Sequence, residues 1–236
     1  MNTFYVGKAV RVGWETCKAQ PTAFLIAAIA LTVLTAASDA LQWLAFEGGI
    51  GGPFSPAGIA AAIAGLAVSI VASYWMALFT LQAHDEPSAL SISAILRWDS
   101  LVPYTLGGIL YIGGILIGAV FLIVPGIIFA TVYIFAYLFI IDKRLGVIAS
   151  FKESARITKG ARWRIFGLLA ATAGIILGGS ALSGLVAGIV GQLLSLEPIA
   201  YYVALVIPTL AMLILSVSFV HAYRMLVGTK ISDASA

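Results

Sequence analysis

Charged side chains interrupt this chain at only a few places, and long apolar runs lie between them. The runs are Thr22–Phe46, Ala57–Ala83, Leu101–Ile141, Ile165–Gln192 and Ile199–Val227. A hydrocarbon core is crossed by roughly 20 apolar residues in a helix, so four of these runs each suit one span. Leu101–Ile141 does not: as a single helix it would be about 60 Å long, twice the thickness of the core, so it must fold back. Pro125-Gly126 is the expected break, because proline lacks an amide donor and glycine admits turn conformations. The remaining breaks are Glu47–Pro56, rich in glycine and proline, and Leu196-Glu197-Pro198. The pattern predicts an all-α polytopic membrane protein with six transmembrane helices arranged as three hairpins.

Each hairpin follows a segment that is neither fully apolar nor loop-like: Thr3–Gln20, Ser88–Ser100 and Leu145–Arg164. In the first, Lys8, Arg11, Glu15 and Lys18 recur at spacings of three and four and share one helical face, with Val6, Val10 and Cys17 opposite. In the third, Lys152, Arg156 and Lys159 repeat that spacing while Val147 and Phe151 turn away; the middle segment carries only Arg97 and Trp98. These are expected to be amphipathic helices in the cytoplasmic interface. The resulting plan is a single membrane domain, 1–236. It comprises a first hairpin with its interfacial helix (1–83), a second hairpin (84–141), a basic interfacial helix with the third hairpin (142–227), and a cytoplasmic tail (228–236).

Composition changes this picture little. Apolar residues make up 61% and charged residues 10%, and the mean hydropathy is +1.07, all far from soluble globular usage. The net charge of +3 is a matter of topology rather than of nucleic-acid binding. All thirteen Lys and Arg fall on one side of the predicted spans, seven of them between Lys143 and Arg164. Basic loops stay in the cytoplasm, so both termini are expected inside a bacterial cytoplasmic (inner) membrane. Lys18 ahead of Ala23–Leu34, with Ala36-Ala37-Ser38 following, has the look of a signal peptide. The long preceding stretch with Glu15 and the apolar continuation toward Phe46 instead predict an uncleaved first span. Cys17 is the one cysteine, which rules out an intrachain disulfide and leaves packing or acylation.

Small residues four apart at Gly114/Gly118, Gly174/Gly178 and Gly184/Gly188 predict close helix–helix approach, within the chain or at a dimer seam. Pro208 should kink the last span. Polar groups within spans are the default place to look for function. Asp39 lies about 27 Å along the first span, near the outer interface. With Gln42, Glu47, Gln192 and Glu197 it would make an acidic vestibule if the first and fifth spans meet. At the inner edge are His84-Asp85-Glu86, and His221 with Arg224 on one face. Two histidines and adjacent acids lack the spacing of a metal site, and no nucleophile elbow, phosphate loop, dinucleotide fingerprint or zinc-protease motif occurs. Neither cofactor nor metal is expected.

The stretch Ile123-Val-Pro-Gly-Ile-Ile-Phe129, then Asp142 and Ser150-Phe-Lys-Glu-Ser-Ala-Arg-Ile-Thr-Lys-Gly-Ala-Arg-Trp-Arg-Ile-Phe166, resembles the YciC-like family of bacterial membrane proteins. That group is similar to the membrane domain fused to some glycerophosphodiester phosphodiesterases. The resemblance implies the six-span plan but no activity, since the soluble phosphodiesterase domain and its metal-binding carboxylates are not present. Seven basic residues against Asp142 and Glu153 make a positive surface, with Lys152, Arg156, Lys159 and Arg162 as candidate contacts for anionic lipid. Asp39, Gln42, Gln192 and His221 are the candidate polar membrane site. The expected partners are the bilayer, anionic phospholipid, and a membrane-protein partner or second copy. The expected function is that of a non-catalytic membrane module that assists another envelope protein or organises lipid. The alternatives are a transporter or channel for a lipid or small solute and, last, an intramembrane enzyme.

Overall fold

The computed structural model describes residues 5–46, 54–86, 97–121, 123–194 and 197–234. Among these residues the chain is almost wholly helical, without a strand. The helices are α1 (Val6–Ala19), α2 (Pro21–Phe46), α3 (Pro56–Asp85), α4 (Leu101–Phe121), α5 (Ile123–Tyr133), α6 (Ala136–Asp142), α7 (Val147–Thr158), α8 (Arg162–Leu194) and α9 (Glu197–Ala234). Six stretches are long and apolar enough to cross a membrane, the fourth formed by α5 and α6 together. The spans thus follow the apolar runs, and α9 continues helical through most of the segment expected as a tail. The turn at Glu47–Pro56 and the segment Ser88–Ser100 lie mostly outside the described residues.

Two compact units partition the chain: Met1–Ala19, Ala77–Gly174 and Ile214–Ala236 in the first, Gln20–Met76 and Ile175–Leu213 in the second. All thirteen lysines and arginines belong to the first. In the second, α2 meets α3 where Ser38 Oγ donates to the Gly65 carbonyl at 2.9 Å and lies 2.7 Å from Ser69 Oγ. A Cβ on Gly65 would stand 3.1 Å from the Ser38 carbonyl, so the backbones are close. Small residues and hydroxyl hydrogen bonds are what join helices where the solvent is itself apolar. Thr32 and Thr209 hydroxyls, 3.3 Å apart, tie α2 to α9 at the residue next to Pro208, which lies within the helix.

In the first unit α4 and α5 pack against each other. A Cβ on Gly118 would sit 2.8 Å from the Gly126 nitrogen, and one on Gly114 would collide with the Phe129 ring. The fold-back comes three residues earlier than Pro125-Gly126: α4 ends at Phe121 and α5 begins at Ile123. Pro125 instead occupies the first turn of α5, where a missing amide costs no intrahelical bond. Gly126 provides the close approach to α4. The other two glycine pairs do not pack in this way, since a Cβ on Gly174, Gly178, Gly184 or Gly188 would meet nothing within 4 Å.

The fourth span is interrupted between Tyr133 and Ala136, a break that no proline or glycine announces. Breaking a helix strands carbonyls at its end, and in a membrane they need internal partners. Here α7 supplies them: Ser154 Oγ donates to the Val132 carbonyl at 2.9 Å, and Thr158 Oγ1 approaches it at 3.3 Å. Ser150, Ser154, Ile157 and Thr158 are the buried residues of α7, while Lys152, Arg156 and Lys159 are exposed.

Helix α1 buries Ala9, Gly13 and Cys17, one residue per turn, and exposes Lys8, Arg11, Glu15 and Lys18. Gly13 lies against α9 so closely that a Cβ would overlap the Ile214 carbonyl. Glu15 accepts from Arg11 Nε at 2.7 Å, which holds its carboxyl below the usual range. Burial pushes the Cys17 thiol up, so at neutral pH it is a protonated packing group and a poor nucleophile.

Candidate functional site

The ends of α3 and α6 meet α9 through one arginine. Arg224, on α9, directs Nε to Asp85 Oδ1 at 3.1 Å, Nη1 to Asp142 Oδ2 at 2.8 Å and Nη2 to Asp142 Oδ1 at 2.8 Å. Nη2 also donates to Asp85 Oδ2. The planar fork of the guanidinium can give two carboxylates a pair of donors each, whereas a lysine has only three donors, all on one nitrogen. Tyr223 Oη donates to Asp142 Oδ2 at 2.8 Å, and Lys143 Nζ is 3.5 Å from the same oxygen. Asp142 is the most enclosed of the three, with 15% of its side chain exposed against 35% for Asp85 and 27% for Arg224.

A histidine pair extends the network. His84 Nδ1 is 3.0 Å from Asp85 Oδ1, and His84 Nε2 is 3.3 Å from His221 Nδ1. With both rings neutral, one proton order satisfies each contact: His84 Nδ1–H donates to Asp85, and His221 Nδ1–H donates to His84 Nε2. Beside the arginine lies a cavity of about 230 Å³ whose polar lining comes from Gln82, Asp85, Glu86, Arg97, Asp142 and Arg224. In chemical terms the cluster is a brace, since both aspartates already accept from cations. Among the described residues no three His, Cys, Asp or Glu side chains gather as metal ligands.

The second polar feature is the corner between α7 and α8. Lys152, Arg156, Lys159 and Arg162 are all exposed there. Arg156 is paired with Glu153 at 2.7 Å, whereas Lys152, Lys159, Arg162 and Arg164 have no acidic partner among the described residues. Gly160, with φ of +91°, turns the chain into α8. Trp163 follows, 85% exposed.

The four residues of the candidate polar membrane site divide. Asp39, Gln42 and Gln192 belong to the second unit and His221 to the first. Gln42 Nε2 donates to Ser38 Oγ at 3.1 Å and is otherwise exposed, as is Gln192, while Asp39 is half-buried. His221 takes its place beside His84 instead.

The brace itself was not assembled by sequence reasoning, which noted Asp85, His221 and Arg224 but left Asp142 out of the group. The available signal was one of place and sign. Asp85 and Asp142 each terminate an apolar run, and Arg224 is the lone cation inside one, so a cation within one span stands with opposite charges at the ends of two helices. No protein-family model, curated protein or solved structure matches the chain.

Proposed function

We propose that this is a non-catalytic protein of a bacterial cytoplasmic membrane, with both termini in the cytoplasm, that organises anionic lipid at its basic face. The observation that carries the reading is the set of exposed cations Lys152, Lys159, Arg162 and Arg164, without an acidic partner among the described residues, on a corner flanked by apolar spans. Cations left without acidic partners are available to lipid phosphates, each worth about 1 kcal/mol near an anionic leaflet. The confinement of all Lys and Arg to one compact unit supports the orientation, because basic residues are retained on the cytoplasmic side. Exposed Trp14, Trp98 and Trp163 on the same unit suit headgroup depth. The segment with the YciC-like resemblance, residues 123–166, also forms the α5–α6 break, its hydroxyl clamp and this corner. A partner protein of the envelope would meet the same face.

Neutralising Lys152, Arg156 and Lys159 together to glutamine should weaken retention of anionic phospholipid about tenfold. The shortfall from a hundredfold reflects the pairing of Arg156 with Glu153 and screening over a Debye length of about 8 Å. Lipid co-purifying with wild type and variant, quantified at low and physiological salt, checks this. Equal retention of anionic lipid by the two proteins contradicts it.

A further inference from the structure

Two concavities adjoin at the start of α8, and they share Arg162 and Trp163. One, about 500 Å³, is bounded by the turn itself: Lys159, Gly160, Ala161, Arg162, Trp163 and Arg164. The other, about 400 Å³, is a groove between α5 and α8 whose walls are Val124, Ile127, Ile128, Thr131 and Phe166, apolar but for the one threonine hydroxyl. The first offers three cations that no described acid neutralises. The second offers apolar surface and begins where the first ends.

We propose that this corner binds one anionic phospholipid, its phosphate in the Lys159–Arg164 turn and an acyl chain along the groove. The inference rests on the lipid-organising reading and narrows it from a charged surface to a site. Charge complementarity selects the headgroup: Lys159, Arg162 and Arg164 stand together, whereas Arg144, Arg156 and Arg224 are each committed to an aspartate or glutamate. Continuity selects the lipid over a free anion, because Arg162 lies in the lining of both concavities and its aliphatic stem can follow the groove while its guanidinium faces the turn. An Arg fork matches a phosphodiester with two parallel donors. Trp163 lines both as well, and an indole suits the boundary between headgroup and chain. The hydroxyls of Ser154 and Thr158 hold the α5 end against α7, which fixes the groove wall relative to the cations.

The test is native mass spectrometry of the whole protein released from discs of phosphatidylethanolamine and phosphatidylglycerol. The expected wild-type spectrum holds one phosphatidylglycerol per chain after the annular lipids are stripped. Ile128→Trp fills the groove from a position already facing outward, and Arg162→Gln removes the shared cation. Each should reduce the single adduct about fivefold or more, while Ser180→Ala, on the exposed side of α8, leaves it unchanged. Circular dichroism and thermal melting confirm that the variants fold. An adduct indifferent to both substitutions overturns the site, as does an adduct of phosphatidylethanolamine in equal amount or of inorganic phosphate without lipid. The two readings fail separately. Loss of overall phosphatidylglycerol enrichment in the wild type removes the lipid-organising function, whereas enrichment that persists with an adduct insensitive to Ile128→Trp and Arg162→Gln removes only the site.

Discussion

Arg224→Met lowers stability by about 2–3 kcal/mol, the largest loss expected from any single substitution in the brace. Removing one partner of a buried ion pair costs roughly 3–5 kcal/mol because the other charge is stranded, and partial exposure of Asp85 and Arg224 brings that down. Two carboxylates would then face each other, Asp142 keeping Tyr223 and Lys143, and Asp85 keeping His84. Arg224→Lys should recover only a minor part, since three donors on one nitrogen cannot reproduce the paired bonds that the guanidinium makes to each acid. The diagnostic variant is Arg224→Met with Asp142→Asn, which removes the more enclosed stranded charge and should regain about 1 kcal/mol or more. Denaturant titration in detergent measures all four proteins. A double variant no more stable than Arg224→Met would show that the repulsion is not the cause.

Ser154→Ala with Thr158→Val should cost about 1–3 kcal/mol, the penalty for a buried acceptor left bare. The acceptor is the Val132 carbonyl at the α5–α6 break. Either single substitution should cost less than half as much, because the remaining hydroxyl still reaches that oxygen. The expected signature is non-additivity together with faster amide exchange in α7. Additive losses without change in α7 exchange would place the effect elsewhere.

Much of the architecture could be read from the chain because lipid imposes a coarse rule: charge is excluded and length is set by the core. The runs Thr22–Phe46 and Ala57–Ala83 became α2 and α3 with at most two residues changed at any end. What escaped was local. Pro125-Gly126 was read as a stop, although proline is equally at home in a helix's first turn, and only the backbone distinguishes the two. The break at Ile134-Phe135 carries no turn residue. Its compensating groups, Ser154 and Thr158, are 22 and 26 residues from Val132, beyond any local pattern. The brace was harder still, with Asp142 and Arg224 82 residues apart. Gly174/Gly178 and Gly184/Gly188 make no close approach among the described residues of the chain, since small-residue spacing permits close packing but does not require it within one chain, and it suits the seam of a dimer equally. The basic corner was visible in outline. The pairing of Arg156 with Glu153 and the groove beside Arg162 were not, because both depend on where α5, α7 and α8 end.

The most direct test of the lipid-organising account is the mass spectrum of the wild-type protein taken in native membrane discs, with lipids and proteins identified together. Enrichment of anionic phospholipid over the surrounding membrane, lost as salt rises, is the predicted result. Lipid in bulk proportion at low salt would contradict it.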